Sequence, residues 1–256
     1  MIKVGVTGAA GRMGRTICSA VAGDPELVLV AGVDPAGAGA AIEGIEVAET
    51  LHALADADCD VVIDFTVADA ARDTVPWLAL HGIHAVVGTT GFTQDDLALF
   101  ESAFCGAEAP NCLIAPNFAI SAVLMMRFAE AAAPYFDTAE VIELHHDRKI
   151  DAPSGTAVQT IERMAAARDR DFAADPTEHE AYAGSRGGAA PRNIRAHAVR
   201  MRGMVAHQEV ILGAAGQTLT IRQDSYDRES FMPGVLLGCK RIAEFPGLTL
   251  GLDPLL

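Results

Sequence analysis

The fold is decided by a stretch near the start of the chain, Val4-Gly5-Val6-Thr7-Gly8-Ala9-Ala10-Gly11-Arg12-Met13-Gly14. An apolar strand runs directly into a glycine-rich turn that opens a helix. Gly8 permits the tight turn, Gly11 lets backbone amides approach a pyrophosphate, and Gly14 lets the helix pack closely on the strand. The helix N-terminus offers N–H groups and a positive dipole end to phosphate. The stretch predicts dinucleotide binding, with a plain glycine-rich turn as the alternative.

Asp34 ends the next predicted strand, twenty residues beyond Gly14. A carboxylate at this place accepts hydrogen bonds from the ribose hydroxyls of adenosine. It would repel a 2′-phosphate, and Pro35 and Ala36 supply no guanidinium to offset the repulsion, although Arg12 can do so in part. The sequence thus favours NADH over NADPH, with an ordinary solvated aspartate as the alternative.

Strand and helix patterns alternate up to about residue 117. Short apolar runs predict strands at Val4–Thr7, Leu27–Val33, Val61–Phe65, Ala85–Val87 and Leu113–Ala115. They are apolar at successive positions, which is typical of parallel strands covered on both faces. Gly11–Ala22 has the spacing of an amphipathic helix. This alternation predicts an α/β domain with a Rossmann-type, doubly wound parallel sheet.

Two further strand ends carry small or polar residues, Gly88-Thr89-Thr90-Gly91 and Ala115-Pro116-Asn117-Phe118. Ligands of open α/β sheets bind at the carboxyl edge of the strands. We therefore expect both segments to line a nicotinamide site, with plain turn residues at Gly88 and Asn117 as the alternative.

The pattern changes after Asn117. Helices are predicted at Ser121–Tyr135 and Gly155–Arg168, strands at Glu140–His145, Ile194–Arg202, Ala206–Leu212 and Thr218–Arg222, and a polar connection at Asp169–Pro191. These elements predict an α+β domain on an open mixed or antiparallel sheet. The tail, Gly234–Phe245, is again helical and is expected to fold back onto the first domain. The predicted domains are 1–117 with 232–256, and 118–231.

The composition is that of a globular protein with an acidic surface. Half of the 256 residues are hydrophobic, and 19 basic against 34 acidic residues give a formal net charge of −15. This charge disfavours nucleic acid and anionic lipid as partners. A small anion is the expected partner of one basic cluster, Arg186, Arg192, Arg195, Arg200 and Arg202.

The expected compartment is the cytoplasm, without a membrane partner. The first apolar run is too short for an export signal, and no apolar stretch reaches the ~18 residues of a membrane span. The five cysteines are odd in number and scattered, with no Cys-x-x-Cys pair. This pattern predicts reduced thiols rather than disulfides or a thiolate metal site.

The residues that carry chemistry lie between 143 and 157. We expect Ile142 and Leu144 to face a core, so that Glu143 and His145 lie on the opposite face of the strand. An imidazole titrates at about pH 6.5 and can donate or accept a proton at physiological pH. Lys149 follows in a loop. It is one of three lysines in a chain with sixteen arginines, which favours a titratable amine here, with a surface lysine as the alternative.

A predicted helix start lies just beyond. Ser154 is expected to cap it, and the amides of Gly155 and Thr156 lie where they would bind an anion. Imidazole, ammonium and helix start fall within twelve residues, which suits a small carboxylate substrate that receives a proton. Histidines that only stabilise the loop are the alternative.

Two other kinds of site are disfavoured. Neighbouring strand residues such as His145 and His146 point to opposite faces, and no thiol or carboxylate cluster completes a metal site, so no metal is expected. A hydrolase with Ser154 as nucleophile lacks the Gly-x-Ser-x-Gly elbow.

The glycine loop, the two strand ends and above all the run His-His-x-x-Lys-x-Asp-Ala-Pro-Ser-Gly-Thr-Ala at 145–157 resemble the dihydrodipicolinate reductases. The resemblance covers essentially the whole chain, and the run at 145–157 is its most specific part. It implies NAD(P)H-dependent reduction of 4-hydroxy-tetrahydrodipicolinate, a cyclic dicarboxylate, to tetrahydrodipicolinate in lysine and diaminopimelate biosynthesis. It also implies a cytoplasmic homotetramer whose C-terminal sheets pack together.

The resemblance implies roles for individual residues. His145 is implied as proton donor or acceptor and Lys149 as proton donor. His146, Gly155 and Thr156 are implied to hold a substrate carboxylate. Cofactor contacts are implied for a larger set, Gly8, Ala9, Ala10, Gly11, Arg12, Met13, Asp34, Gly88, Thr89, Thr90, Ala115, Pro116, Asn117 and Phe118.

One position departs from the family pattern. Members with dual cofactor use often carry an arginine after the strand-end acid, and Pro35 stands there in this chain. No role is carried over to Arg228. Two other functions stay open, a regulator that senses NAD(H) without catalysis and another Rossmann-type dehydrogenase.

Overall fold

The structure, a computed structural model, describes all residues from Met1 to Leu256. Its contacts divide the chain into two units, Met1–Ile120 with Arg228–Leu256, and Ser121–Asp227. The domain bounds predicted from the sequence stay a prediction. None of the helices combines the length and the apolar character needed to cross a membrane.

The strands are β1 (Ile2–Thr7), β2 (Leu27–Val33), β3 (Ala41–Ile42), β4 (Ile45–Ala48), β5 (Val61–Asp64), β6 (His84–Val87), β7 (Cys112–Ile114), β8 (Thr138–His145), β9 (Gly188–Ala189), β10 (Arg195–Arg200), β11 (Ala206–Ala214), β12 (Gln217–Ser225) and β13 (Leu248–Leu250). The α-helices are α1 (Arg12–Gly23), α2 (His52–Asp56), α3 (Ala68–Leu80), α4 (Gln94–Ala103), α5 (Ile120–Ala132), α6 (Gly155–Ala166) and α7 (Met232–Arg241).

The first unit is built on an eight-stranded sheet in the order β13-β7-β6-β5-β1-β2-β4-β3. All neighbouring strands are parallel except β3 and β4. The predicted doubly wound sheet is therefore confirmed. The sequence patterns missed β3, β4 and β13, which have two to four residues each and are too short for a periodic signal.

The central strands of this sheet are buried on both faces. Val4 and Val6 of β1, Val62 of β5 and Val86 and Val87 of β6 are all fully buried. This burial explains why the strands are apolar at successive positions rather than at alternate ones.

The second unit is built on a five-stranded sheet in the order β12-β11-β8-β10-β9. β8 and β10 are parallel, whereas the other neighbours are antiparallel, so the sheet is mixed. Helices α5 and α6 cover one face, where their apolar side chains form a core with those of the strands. This core includes Ala129, Ala133, Val141, Ala157, Ile161, Met164, Val210 and Leu212.

The predicted orientation of β8 is wrong. Ala139, Val141 and Glu143 are buried, whereas Ile142 and Leu144 are only partly covered on the opposite face. The prediction placed Ile142 and Leu144 against the core and Glu143 on the opposite face. Glu143 is buried because its charge is paired, which is the usual condition for a buried glutamate.

Candidate functional site

The glycine loop between β1 and α1 requires its glycines for steric reasons. Gly8 has φ +71°, and a Cβ added to Gly14 would lie 2.0 Å from the Gly8 carbonyl oxygen. Gly14 therefore allows α1 to pack closely on the loop itself, whereas the sequence analysis predicts close packing on the strand. Gly11 is the N-cap of α1 and provides no side-chain cap. The first-turn amides of α1 are thus suited to phosphate oxygens.

Asp34 lies against this loop. Its Oδ2 accepts a hydrogen bond from the Ala10 amide at 3.1 Å, and its Oδ1 accepts one from the Ala36 amide at 3.1 Å. A Cβ on Gly37 would lie 2.1 Å from the Ala10 Cβ, so the turn after Asp34 packs closely on the loop. Arg15, which the sequence analysis missed, donates its Nε to the Ala10 carbonyl at 3.0 Å.

The remaining residues of the glycine loop differ in how far they are exposed to solvent. Ala9 is buried, Met13 is partly buried, and Arg12 is exposed beside the helix start. The turn at residues 8–11 leaves its backbone accessible because it has no bulky side chains, which fits the pyrophosphate of a dinucleotide. The carboxylate at the neighbouring strand end fits the ribose.

A buried carboxylate at the same edge of the sheet was also missed. Asp64, at the end of β5, is fully buried. It accepts hydrogen bonds from the hydroxyls of Thr7 at 2.7 Å, Thr66 at 2.9 Å and Thr89 at 2.6 Å. Asp64 thereby joins the ends of β1, β5 and β6 beside the glycine loop. The sequence signal was a carboxylate at the end of an otherwise apolar strand, which also suits a residue that leads into a turn.

The segments that follow β6 and β7 meet at a pair of aromatic rings, those of Phe65 and Phe118. A Cβ on Gly88 would lie 2.1 Å from the Phe65 ring, and the rings of Phe65 and Phe118 are 5.6 Å apart. Asn117 accepts a hydrogen bond from the Ala119 amide at 2.9 Å. Thr89 and Ala115 are buried, whereas Thr90 and Pro116 are exposed. Of the two threonines, Thr90 is the one accessible to a ligand.

In the second unit, β8 ends at an imidazole held by a carboxylate. His145 Nδ1 lies 2.5 Å from Glu143 Oε2. Glu143 also receives two hydrogen bonds from Arg200, Nη1 to Oε2 and Nη2 to Oε1, both at 2.7 Å. Arg200 reaches this position because the parallel register of β8 and β10 places it opposite His145. The role of Glu143 and Arg200 was not predicted from the sequence.

The predicted helix start is confirmed at α6. Ser154 is the N-cap, and its hydroxyl accepts a hydrogen bond from the Ala157 amide at 3.2 Å. The Ser154 amide donates to Glu143 Oε1 at 3.0 Å. A Cβ on Gly155 would meet no atom within 4 Å, so the surface at this residue is open. Thr156 is partly buried in the same turn.

Lys149 and His146 lie in the loop between β8 and α6. Lys149 Nζ forms an ion pair with Asp151 Oδ1 at 2.8 Å, and hydrogen bonding from Lys149 holds the pKa of Asp151 below its usual value. His146 has a buried Nδ1 without a hydrogen-bond partner. A buried imidazole nitrogen of this kind is suited to a polar ligand.

The charges around His145 act in opposite directions. Burial lowers the pKa of His145 below its usual value, Glu143 opposes this shift, and Lys149 and Arg200 add to it. Burial disfavours ionisation of Glu143, but hydrogen bonds from Arg200, His145 and the Ser154 amide outweigh it and lower the pKa of Glu143. At neutral pH the site therefore holds a neutral imidazole and an ionised carboxylate.

The expected small-anion site at the arginine cluster is not formed. Each guanidinium is paired with a carboxylate at 3.1 Å or less, in the pairs Arg186–Glu140, Arg192–Asp171, Arg195–Asp175, Arg200–Glu143 and Arg202–Asp147. Because each guanidinium is paired with its own carboxylate, the five arginines do not form a shared positive patch. No three histidine, cysteine or carboxylate side chains are grouped so that they could hold a metal ion.

The parallel sheet with its glycine loop, together with an acid–base site on a second unit, defines a Rossmann-type oxidoreductase. Two family models match the chain, "Dihydrodipicolinate reductase, N-terminus" over residues 2–118 and "Dihydrodipicolinate reductase, C-terminus" over residues 121–256. The chain therefore belongs to the dihydrodipicolinate reductase family.

Individual relatives agree with this assignment. A 4-hydroxy-tetrahydrodipicolinate reductase of Corynebacterium urealyticum is 50% identical over 100% of this chain and 99% of its own length. A dipicolinate-bound dihydrodipicolinate reductase from Paenisporosarcina sp. TG-14 is 36% identical, with a TM-score of 0.88 and 100% of both chains covered. A scyllo-inositol dehydrogenase from Lactobacillus casei has a TM-score of 0.65 at 12% identity, covering 100% of this chain and 92% of its own, and shares the fold alone.

Proposed function

We propose that the chain reduces 4-hydroxy-tetrahydrodipicolinate to tetrahydrodipicolinate with NAD(P)H, in lysine and diaminopimelate biosynthesis. The observation that carries the proposal is the cluster of an imidazole, an ammonium group and a capped helix start at His145, Lys149 and Gly155. This set can hold a doubly charged heterocycle and give it a proton. A relative with 36% identity is described as dipicolinate-bound, which supports a cyclic dicarboxylate as the ligand.

Different residues of the site bind the substrate and transfer the proton. The hydroxyl of the substrate leaves as water together with a proton from the adjacent ring carbon, which leaves a conjugated imine, and bound NAD(P)H would supply a hydride to that imine. His146 and the amides of Gly155 and Thr156 hold a substrate carboxylate. Lys149 or His145 gives the proton to the ring. The charge of Lys149 and the helix amides stabilise the electron density that develops there more than they stabilise the bound substrate.

The cofactor is held by the glycine loop, Asp34 and the two strand ends, and NADH is preferred over NADPH. The closeness of Asp34 to Ala10 supports this preference, because a 2′-phosphate would lie against a carboxylate. Arg15 also donates to the Ala10 carbonyl. Its guanidinium offsets part of the repulsion, so we expect NADPH to remain a weaker cofactor rather than an excluded one.

Residues 1–117 with 232–256 form the cofactor-binding domain, and residues 118–231 form the substrate and oligomerisation domain of a homotetramer. The partly covered face of the second sheet supports this assembly. Ile142, Leu144, Val199 and Ile211 lie on the face opposite α5 and α6 and are only half-buried. Mass photometry tests the prediction, with an expected mass near four times the 26.8 kDa of one chain.

The proposed compartment is the cytoplasm. All five cysteines are free thiols, and four of them are buried. Burial raises the pKa of Cys18 to about 11 and that of Cys59 to about 12, so these thiols are unreactive. Reduced, unreactive cysteines are typical of a reducing compartment.

The decisive experiment is steady-state oxidation of NADH with enzymatically generated 4-hydroxy-tetrahydrodipicolinate, repeated with NADPH. Thermal shift with NADH, with pyridine-2,6-dicarboxylate and with both ligands accompanies it. We expect turnover and stabilisation by each ligand. Stabilisation by NADH alone, without turnover, would instead support a nucleotide-sensing regulator.

A further inference from the structure

Glu143 joins three separate segments of the second unit. Its two oxygens accept hydrogen bonds from the imidazole of His145 on β8, the guanidinium of Arg200 on β10 and the amide of Ser154 at the start of α6. The side chain is 1% exposed. We propose that Glu143 is the positioning residue of the substrate site, which orients His145 and the α6 start together, with Arg200 as its counter-ion. This inference rests on the proposed function of the site.

The first consequence concerns the tautomer of His145. An ionised carboxylate can only accept a hydrogen bond, so His145 Nδ1 must carry the proton in its contact with Glu143. In the neutral ring Nε2 then has a free lone pair. Nε2 takes up a proton from solvent and passes it to the substrate, while Glu143 stabilises the imidazolium that forms in between.

The second consequence concerns charge. A buried carboxylate without a partner is strongly disfavoured. Arg200 pairs with both oxygens of Glu143 and keeps it ionised, but its positive charge also faces His145. The charged groups around His145 are Glu143, Lys149 and Arg200. Glu143 and Arg200 therefore affect the proton affinity of His145 in opposite directions.

The third consequence concerns the anion-binding helix start. Arg200 Nη2 donates to the Asp151 carbonyl at 2.7 Å, and Glu143 accepts from the Ser154 amide at 3.0 Å. Both ends of the 151–154 loop are thus fixed by the same ion pair. The position of the Gly155 amide depends on it, because Gly155 follows Ser154 directly.

The chain offers a matched control three residues earlier on β8. Glu140 is paired with His197 Nε2 at 2.5 Å and with Arg186 Nη2 at 2.6 Å. It has the same kinds of partner as Glu143, but it is 30% exposed and lies on the opposite face of the strand. A Glu140→Gln variant removes an equivalent carboxylate without touching the substrate site.

The experiment determines the tautomer and the pKa of the His145 ring by NMR on histidine-labelled enzyme. The His145 signals are assigned by comparison with the His145→Gln variant. Steady-state kinetics are measured on the same samples. In the wild type we expect the Nδ1–H tautomer. Glu143→Gln should lower the pKa of His145, whereas Arg200→Gln should raise it. Glu143→Gln should also reduce kcat about 100-fold, as expected for a misplaced catalytic group. The KM for NADH should stay within about twofold.

A double variant separates positioning from a general loss of structure. In a His145→Gln background, Glu143→Gln should reduce kcat by only about tenfold, because the imidazole that it orients is already absent and only the effect on the α6 start remains. Glu140→Gln should leave kcat and the His145 signals unchanged, provided that mass photometry shows the wild-type assembly. A full 100-fold loss in the double variant would overturn the proposal.

The wild-type measurement keeps the inference testable if the variants do not fold. An Nε2–H tautomer of His145 in the wild-type enzyme would overturn the positioning role by itself. Failure of the proposed function has a different signature. In that case the wild type does not oxidise NADH with 4-hydroxy-tetrahydrodipicolinate, although His145 has the Nδ1–H tautomer.

Discussion

We propose that the helix starts of α1 and α6 both bind an anion through backbone amides, and the two starts are built differently. α1 begins at Gly11 with no side-chain cap, in a loop held by the close packing of Gly14 on Gly8. α6 begins at Ser154, whose hydroxyl caps the helix and whose amide is bound by a buried glutamate. One site depends on the absence of side chains, and the other depends on a network of them.

The difference suits two kinds of ligand. A pyrophosphate needs donors and close approach but no proton transfer, so a backbone loop is sufficient. A substrate that must receive a proton needs groups that titrate, which only side chains provide. We therefore expect α1 to be sensitive to added volume and α6 to be sensitive to changes of charge.

The largest effect is expected at the α6 site from Lys149→Ala. The variant removes the ammonium group that is paired with Asp151 and that we propose as a proton donor. Loss of a general acid typically reduces the rate about 100- to 10,000-fold. Steady-state kcat at saturating NADH measures it, with circular dichroism to show an intact fold.

Two matched variants show what Lys149 contributes. Lys149→Arg keeps the charge and the reach to Asp151, but arginine does not release a proton, so kcat should stay low while KM stays near its wild-type value. Lys240→Ala removes a lysine that pairs with Asp24 and Glu26 in the first unit, and kcat should stay within about twofold. Wild-type kcat in Lys149→Ala would remove Lys149 from the mechanism.

At the α1 site the second-largest effect is expected from Gly14→Ala. The added methyl group would lie 2.0 Å from the Gly8 carbonyl oxygen and 2.7 Å from the Ala9 Cα, both backbone atoms that cannot rotate away. Overpacking of this kind costs about 1–3 kcal/mol. We expect a lower melting temperature and a Kd for NADH raised at least about 10-fold, measured by fluorescence titration.

The same helix contains the control. A Cβ on Gly23, the last residue of α1, meets no atom within 4 Å. Gly23→Ala should therefore leave NADH binding unchanged and stabilise the protein by about 0.5–1 kcal/mol, since alanine loses less backbone entropy than glycine. Equal effects of the two substitutions would show that the loop does not depend on close packing.

The contrast between the sites also explains what the sequence predicts well. The glycine loop, the Ser154 cap and the alternation of strands and helices in the first unit are local features, because turn chemistry and apolar runs lie within a few residues. Glu143 and Arg200 are 57 residues apart, and only the parallel register of β8 and β10 brings them together. No short-range pattern carries that information.

The wrong orientation of β8 has the same origin. An apolar-in, charged-out rule places Ile142 and Leu144 in the core, and it fails because a distant guanidinium compensates the Glu143 carboxylate. Asp64 was missed for a related reason. Two of the three hydroxyls that donate to it come from Thr7 and Thr89, 57 and 25 residues away.

The third prediction concerns pH and tests whether His145, which is hydrogen-bonded to Glu143, has a different pKa in the folded and the unfolded chain. Burial lowers the pKa of His145 below its usual value. The unfolded chain therefore binds this proton at a higher pH than the folded chain, and the free energy of unfolding rises with pH in the interval between the two pKa values. The slope for one proton is at most about 1.4 kcal/mol per pH unit.

His145→Gln should reduce this slope between pH 5.5 and pH 7, measured by urea unfolding at fixed ionic strength. His84, whose pKa is also lowered by burial, keeps its share of the slope and serves as the internal reference. An unchanged slope in His145→Gln would mean that His145 titrates alike in the folded and unfolded chain, which contradicts the desolvated site.

The last effect is expected at Asp34, whose charged side chain lies against the backbone loop of the α1 site. Its carboxylate accepts from the Ala10 amide, and we propose that it also accepts from the ribose hydroxyls. Asp34→Ala removes a charged hydrogen bond worth about 1.5–3 kcal/mol to NADH, so kcat/KM for NADH should fall about 10-fold or more. For NADPH the loss is offset because the repulsion of the 2′-phosphate disappears.

The ratio of the two kcat/KM values should shift toward NADPH, whereas Asp56→Ala, which removes an exposed carboxylate of the same unit, should leave this ratio unchanged. An equal loss with both cofactors would show that Asp34 acts only through the loop, and the α1 site would then discriminate by shape rather than by charge.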